Sequence, residues 1–200
     1  MVGVVLAGGA GSRLGGDKAG RTLAGRPLPA YPAAALAAVC EPVAVVCKPG
    51  ALAASLEGVE LWDDEPEEPR HPAAGIAWAL ERAGEAVLVC AADMPFVREE
   101  DCKLLGDAAA GPASDAGRTA VVATAGDEVQ PLFGLYSRTA LSALRDGARD
   151  GLPMRRVVEH LGTTLVELPA ESLRSVNTPD ELAAAEAELL SRARARRPGR

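Results

Sequence analysis

Seven short strand-like runs, most of them apolar throughout and separated by stretches of helical spacing, constrain this chain more than any other feature. The runs are Val4–Leu6, Val43–Cys47, Val59–Leu61, Ala86–Cys90, Ala120–Ala123, Leu132–Leu135 and Thr164–Leu168. Helical stretches lie near Pro32–Val39, Ala74–Ala83, Glu99–Ala109, Ser137–Gly147, Pro153–Leu161 and Pro179–Ala195. A strand that is apolar throughout is covered on both faces, and strands interleaved with helices pair in parallel through long crossovers. The pattern predicts an α/β fold: a mostly parallel sheet with helices on both faces. Aromatic residues are only 3% of the chain, so its core must be built from Val, Leu and Ala.

The chain has 200 residues, which suits one domain. No repeat or linker divides it, so residues 1–190 are expected to form that domain. The last helix has a plain start in Asn177-Thr178-Pro179-Asp180-Glu181, with a Thr cap, Pro in the first turn and early acids. Residues 191–200, arginine-rich and ending Arg-Pro-Gly-Arg, are expected to be a frayed, solvated tail. Gly111 to Gly117 is a polar loop. Asp63 to Arg70 is acidic and proline-rich, too polar for the core.

Formal net charge is −7, which excludes a general nucleic-acid binder with a basic surface. The first thirty residues depart from that balance, with Arg13, Lys18, Arg21 and Arg26 against Asp17 alone. A local positive site in an acidic protein suits a small anionic ligand. Cys40, Cys47, Cys90 and Cys102 show no C-x-x-C spacing and are expected to be free buried thiols. With only His71 and His160 present, a histidine-rich metal site is excluded. No apolar run approaches a membrane span, and no charged leader with a cleavage site opens the chain. A cytoplasmic location is the expectation.

The first apolar run passes directly into Gly8, Gly9, Gly11, Gly15 and Gly16, interleaved with Arg13 and closed by Lys18. Glycines let successive backbone N–H groups turn toward one point, and such a nest favours an anion. This is a phosphate-binding loop by chemistry. The Walker pattern fails, because Asp17 precedes Lys18 and Ala19 follows it. The dinucleotide fingerprint fails too, because Leu14 occupies its third glycine position. In open parallel sheets ligands sit at the carboxyl ends of strands. The glycine loop follows strand one and Ala91-Ala-Asp-Met-Pro95 follows a central strand, so Asp93 is expected on the same edge as the loop.

The stretch Leu6-Ala-Gly-Gly-Ala-Gly-Ser-Arg-Leu-Gly-Gly-Asp-Lys18 resembles the signature of nucleotidyltransferases that activate sugars and pterins. Within them the chain is most similar to the molybdenum cofactor guanylyltransferases. Ala91–Pro95, Gln130-Pro131 with the run Leu132 to Leu135, and Val176-Asn-Thr-Pro-Asp-Glu-Leu182 follow in the order of that family, over roughly residues 2 to 185. The resemblance implies a three-layer, Rossmann-like nucleotidyltransferase fold and Mg2+-dependent transfer of GMP from GTP to molybdopterin, releasing pyrophosphate. It implies that Leu6, Ala7, Gly8 and Gly9 hold the nucleotide, and that Arg13 and Lys18 stabilise charge on the departing pyrophosphate. Asp93 would bind magnesium, Asp64 would contact the nucleotide, and Asn177 would stand at the metal. It also implies transient contact with other molybdenum cofactor proteins.

The chain departs from the family pattern twice. Arg70-His-Pro-Ala-Ala-Gly75 lacks the first glycine of a Gly-Pro-Leu-Ala-Gly-like stretch, and Val46-Cys-Lys-Pro-Gly50 lacks an asparagine after strand two. A CTP-using molybdopterin cytidylyltransferase, a sugar-phosphate nucleotidyltransferase of the same fold, and a catalytically silent nucleotide-binding protein remain alternatives at this stage.

Overall fold

The computed structural model describes residues 1–7, 21–49, 56–66, 68–111 and 119–195. Its main sheet holds seven strands: β1 (Val2–Leu6), β4 (Val43–Val46), β5 (Glu60–Trp62), β6 (Val87–Ala91), β7 (Ala120–Ala125), β8 (Glu128–Tyr136) and β9 (Thr163–Glu167). Their order is β5-β4-β1-β6-β8-β7-β9. A separate two-stranded ribbon pairs β2 (Thr22–Leu23) with β3 (Arg26–Pro27). The helices are α1 (Ala30–Leu36), α2 (Pro72–Ala83), α3 (Glu99–Ala110), α4 (Leu141–Arg149), α5 (Met154–Glu159) and α6 (Pro179–Ala195).

The three-layer expectation holds. Side chains alternate across the sheet, so Val5, Val45 and Leu88 face α1 and α3, where they meet Leu36, Cys102 and Leu105. Val4, Val46 and Val89 face α2, α4 and α5, where they meet Ile76, Leu80, Leu144 and Val157. Each Val or Leu fully buried this way contributes about 1.5–3 kcal/mol of transfer free energy. The four cysteines are free and buried, as expected. Burial pushes the Cys40 thiol up to about 11, the Cys102 thiol up to about 12 and Cys90 well above its ordinary value, so they act as small apolar side chains rather than nucleophiles.

Most of the sheet is parallel, and β8 is the exception, antiparallel to both β6 and β7. Only Gly126 and Asp127 connect β7 to β8, a link too short for a crossover, so the pair must form a hairpin. Gly126 supplies the turn with φ +57°. The register of this hairpin slips between Val122 and Ala123, which absorbs Pro131 in a strand that would otherwise lose a ladder hydrogen bond.

The ribbon β2–β3 was not foreseen. Ala24 and Gly25 both take positive φ, 48° and 76°, which is the geometry of a tight two-residue hairpin. The ribbon and α6 share a small apolar cluster of their own: Leu23, Leu28, Phe96, Val176 and Ala185. The stretch expected as one helix from Ser137 is a 3-10 turn over Arg138–Ala140 followed by α4. Among the described residues, no helix is long and apolar enough to cross a membrane. The Gly111–Gly117 loop beyond Gly111, and residues 196–200 of the expected tail, lie outside the described residues.

Candidate active site

Three strand ends are level at one edge of the sheet. Leu6 pairs with Val46 on one side and Ala91 on the other. The ladder continues one step further: the Ala7 N–H donates to the Val46 carbonyl at 2.8 Å, and the Ala92 N–H donates to the Leu6 carbonyl at 3.0 Å. Leu6 and Ala7 are thus fixed by the sheet at the point where the glycine loop departs. Gly8, Gly9, Arg13 and Lys18 themselves lie outside the described residues.

Asp93 follows β6 at this same edge and is 9% exposed. Its carbonyl accepts the Val176 N–H at 2.8 Å. That bond joins two segments more than eighty residues apart in sequence and sets Asn177 beside the Asp93 turn. Asp93 does not cap a helix: α3 begins only at Glu99, and its first turn is closed by the Asp101 carboxylate, which accepts the Arg98 N–H at 2.9 Å. The two residues expected at a metal therefore converge, although one belongs to the centre of the chain and the other to its end.

Both flanks of the glycine loop are held at this edge. One flank is β1. The other enters through the β2–β3 ribbon, where Leu23 and, just past the ribbon, Leu28 pack with Phe96 and Val176, the neighbours of Asp93 and Asn177. The Tyr31 hydroxyl donates to the Leu23 carbonyl at 2.6 Å, and the Ala24 N–H donates to the Glu186 carboxylate at 3.1 Å. On the far side, Arg174 lies over the Phe96 ring at 4.0 Å and is ion-paired with Glu188 of α6. Burial raises the Tyr31 hydroxyl above its ordinary value, so it remains a donor.

Asn177 also opens α6. The Glu181 carboxylate accepts the Asn177 N–H at 2.7 Å and the Thr178 N–H at 3.0 Å, while the Thr178 hydroxyl accepts the Glu181 N–H at 3.2 Å. This is a reciprocal capping box, and its Thr178 is the cap that the sequence predicts. Those backbone N–H groups, Asn177 foremost, hold the Glu181 carboxyl below its ordinary range.

Asp64 is placed differently from Asp93. It follows β5, three strands away from β6, or about 14 Å at the usual strand spacing. Both its oxygens accept from Arg82 Nη1 at 2.8 Å, and Arg82 stacks on Trp62 and Trp78 at 5.0 and 5.4 Å. The structure gives this carboxylate a partner on α2 rather than one at Asp93.

Its neighbour Glu65 corrects the expectation that the whole 63–70 loop is too polar for the interior. Glu65 is 6% exposed, and its Oε1 accepts from Lys48 Nζ at 3.1 Å. A buried carboxylate needs such a partner. Lys48, just past β4, also donates to the Pro66 carbonyl. The only trace of this pair in the sequence is Lys48 itself, standing in the segment where the family asparagine is missing. The second departure has a structural account as well. His71 Nδ1 accepts the Ala73 N–H at 3.1 Å as the cap of α2, leaving Nε2–H to donate to the Leu152 carbonyl at 2.8 Å.

Among the described residues, no group of three or more His, Cys, Asp or Glu side chains could hold a metal ion by itself. One buried carboxylate beside an amide is nevertheless a fitting donor set for magnesium, which keeps most of its coordination for water and for the phosphates it arrives with.

The chain matches the MobA-like NTP transferase domain family over residues 3–168. It is 32% identical over 195 residues to a molybdenum cofactor guanylyltransferase of Cereibacter sphaeroides, covering 94% of this chain and 97% of that one. It is 35% identical over 147 residues to a probable molybdenum cofactor guanylyltransferase of Bacillus licheniformis, covering 72% and 71% of the two chains. The crystal structure of molybdopterin-guanine dinucleotide biosynthesis protein A from Archaeoglobus fulgidus superposes with a TM-score of 0.74 at 25% identity, over 96% of this chain and all of that one. A level sheet edge where β1 ends and Asp93 and Asn177 meet, with matches of this extent, makes the chain a nucleotidyltransferase of the MobA-like NTP transferase family.

Proposed function

We propose that this enzyme transfers GMP from GTP to molybdopterin with Mg2+. The observation that carries the reading is the hydrogen bond from Val176 to Asp93, which assembles Asp93 and Asn177 where the loop leaves β1. A phosphate oxygen of molybdopterin attacks the α-phosphorus of GTP. The bond from that phosphorus to the bridging oxygen breaks, and pyrophosphate leaves with the electron pair. Such a displacement needs positioning and charge stabilisation more than a protein nucleophile. Backbone groups of Gly8 and Gly9 hold the nucleotide, with Leu6 and Ala7 also in contact with it. Arg13 and Lys18 offset the charge that builds on pyrophosphate. Asp93, with Asn177 beside it, would hold magnesium, which when bound neutralises charge on the phosphate oxygens. Asp64 serves the nucleotide from the β5 side, which requires its carboxylate to exchange Arg82 for the ligand. Work on a soluble pterin and a nucleotide suits a cytoplasmic enzyme that meets other molybdenum cofactor proteins transiently.

The test is pyrophosphate release from each of the four common NTPs, with and without molybdopterin. GTP should exceed CTP and ATP by at least about tenfold in kcat/KM, the ratio that one polar contact of roughly 1.4 kcal/mol gives. Release that depends on molybdopterin but is equal for GTP and CTP would sink the guanine assignment. Release that ignores molybdopterin would sink the acceptor.

A further inference from the structure

We infer that the Glu65 carboxylate, held by Lys48, reads the guanine base in this chain; the inference rests on the proposed use of GTP. Three groups meet on the α2 side of the sheet edge. A methyl group placed on Gly75 would lie 3.0 Å from Glu65 Oε1 and 3.6 Å from Leu6 Cδ2. Leu6 is the last residue of β1, so Glu65 and the end of that strand flank Gly75 from two sides. Glu65 also lines a cavity of about 330 Å3 that runs between α2 and α4, with Trp78, Arg145 and Arg149 among its walls.

The chemistry of the pair suits one base. Lys48 pairs with Glu65 and fixes one of its oxygens at 3.1 Å. An ionised carboxylate accepts at several lone-pair positions and donates nothing. Guanine is the only common base with two adjacent donors on its pairing edge, N1–H and the 2-amino group. Adenine and cytosine each set a donor beside an acceptor on that edge, and uracil offers one donor between two carbonyls. A carboxylate meeting those edges would face a lone pair and be left partly unpaired, which is how buried polar groups reject a wrong ligand. Asp64 cannot do this without releasing Arg82, whereas Glu65 is already buried at the edge and partnered on one side only by Lys48 among the described residues.

The test compares kcat/KM for GTP, inosine triphosphate and xanthosine triphosphate in wild type and in Glu65→Gln, with molybdopterin as acceptor and melting temperature measured alongside. Inosine lacks the 2-amino group, so wild type should prefer GTP to it by tenfold or more. Xanthine replaces that amino group with a carbonyl, which a glutamine amide can donate to while accepting from N1–H. Glu65→Gln should therefore lose at least tenfold on GTP and use xanthosine triphosphate as well as or better than GTP, an inversion that a structural role would not produce. Wild type using inosine triphosphate as readily as GTP overturns the inference without any variant. An unchanged GTP-to-xanthosine ratio in Glu65→Gln overturns it too. Both failures are distinct from failure of the guanine assignment itself, which would show as no preference for GTP over CTP, ATP and UTP in wild type.

Discussion

The two apolar layers of the main sheet and the small cluster around α6 are built from the same kinds of side chain, yet they serve different ends. In the layers, β1, β6 and the first part of β7 are buried almost throughout, and their neighbours come from several helices at once. In the cluster, five buried residues drawn from the β2–β3 region, the turn after β6, the approach to α6 and α6 itself make one contact patch. The layers can lose a contact and still be a sheet. The cluster has no such reserve, but it is what ties the far flank of the glycine loop to Phe96 and Val176, and so to Asp93 and Asn177. Stability and geometry of the site are thus carried by separate regions, which variants can pull apart.

The largest effect on stability is expected in the layers. Phe133 lies on β8 opposite Cys90 and is fully buried. Phe133→Ala should cost about 3–5 kcal/mol of unfolding free energy through lost burial and the cavity left behind. Its folded fraction should retain near-normal turnover, because β8 carries no part of the loop. Denaturant titration with activity measured per folded molecule checks both halves. A variant that stays stable but loses turnover would break the division between the regions.

Lys18→Ala and Asp93→Asn should do the reverse. Losing one charge-stabilising donor costs about 3–4 kcal/mol of barrier, or two to three orders in rate. Lys18 sits in a glycine loop, so its truncation should leave the melting temperature where it is. Asp93→Asn keeps shape and keeps the carbonyl that accepts from Val176, but removes the charge that the proposed magnesium site needs. A magnesium titration of Asp93→Asn that overlays wild type would show that Asp93 only shapes the turn.

Between these extremes stands Leu28, buried in the small cluster and packed with Phe96 and Val176. Leu28→Ala should cost about 2–3 kcal/mol of stability, the low end for such truncations, because the cluster is small and can settle. Turnover per folded molecule should fall about tenfold or more, since a displacement of about 1 Å at a positioning segment can cost up to roughly a hundredfold. Equal loss of turnover in Leu28→Ala and Phe133→Ala would mean that the cluster has no special hold on the site.

What the sequence disclosed follows the same division. The layers were legible because apolar runs and helical spacing announce themselves locally: all seven strands and six helices of the main fold stand where the runs predict them, with ends shifted by a few residues. The reversal of β8 was legible only in Gly126-Asp127, and the β2–β3 ribbon only in Ala24-Gly25, because two residues of turn carry little signal among 21 glycines. Asp93 and Asn177 were named from resemblance and from strand-edge reasoning, but the bond that joins their segments crosses the whole chain and leaves no local mark. The Lys48–Glu65 pair was hidden for the opposite reason. Seen in sequence, Glu65 is one acid in a run of acids, and only the fold shows that it turns inward while Asp64 turns out to Arg82.

The smallest expected effect separates the regions by pH. The Glu181 carboxyl is held below its ordinary value of 4.5 by the backbone N–H of Asn177 first, and then by Thr178. A carboxyl depressed in the folded state adds stability that is complete above its unfolded value and disappears as pH falls through its folded value. The cap on α6 should therefore be intact at neutral pH and weaken only in the acid range below 4.5, where the amide signals of Asn177 and Thr178 should titrate together with a midpoint under that value. Amides of β1 and β6 should not follow, since their partners are other strands and not a titrating side chain. Glu181→Gln should abolish the acid titration at those two amides and leave the melting temperature at neutral pH nearly unchanged, because the carboxylate is exposed and an amide oxygen can still accept one of the two bonds. If the β1 and β6 amides shift with the same midpoint, the small cluster and the sheet respond as one body, and the separation between what stabilises the fold and what aligns the site does not hold.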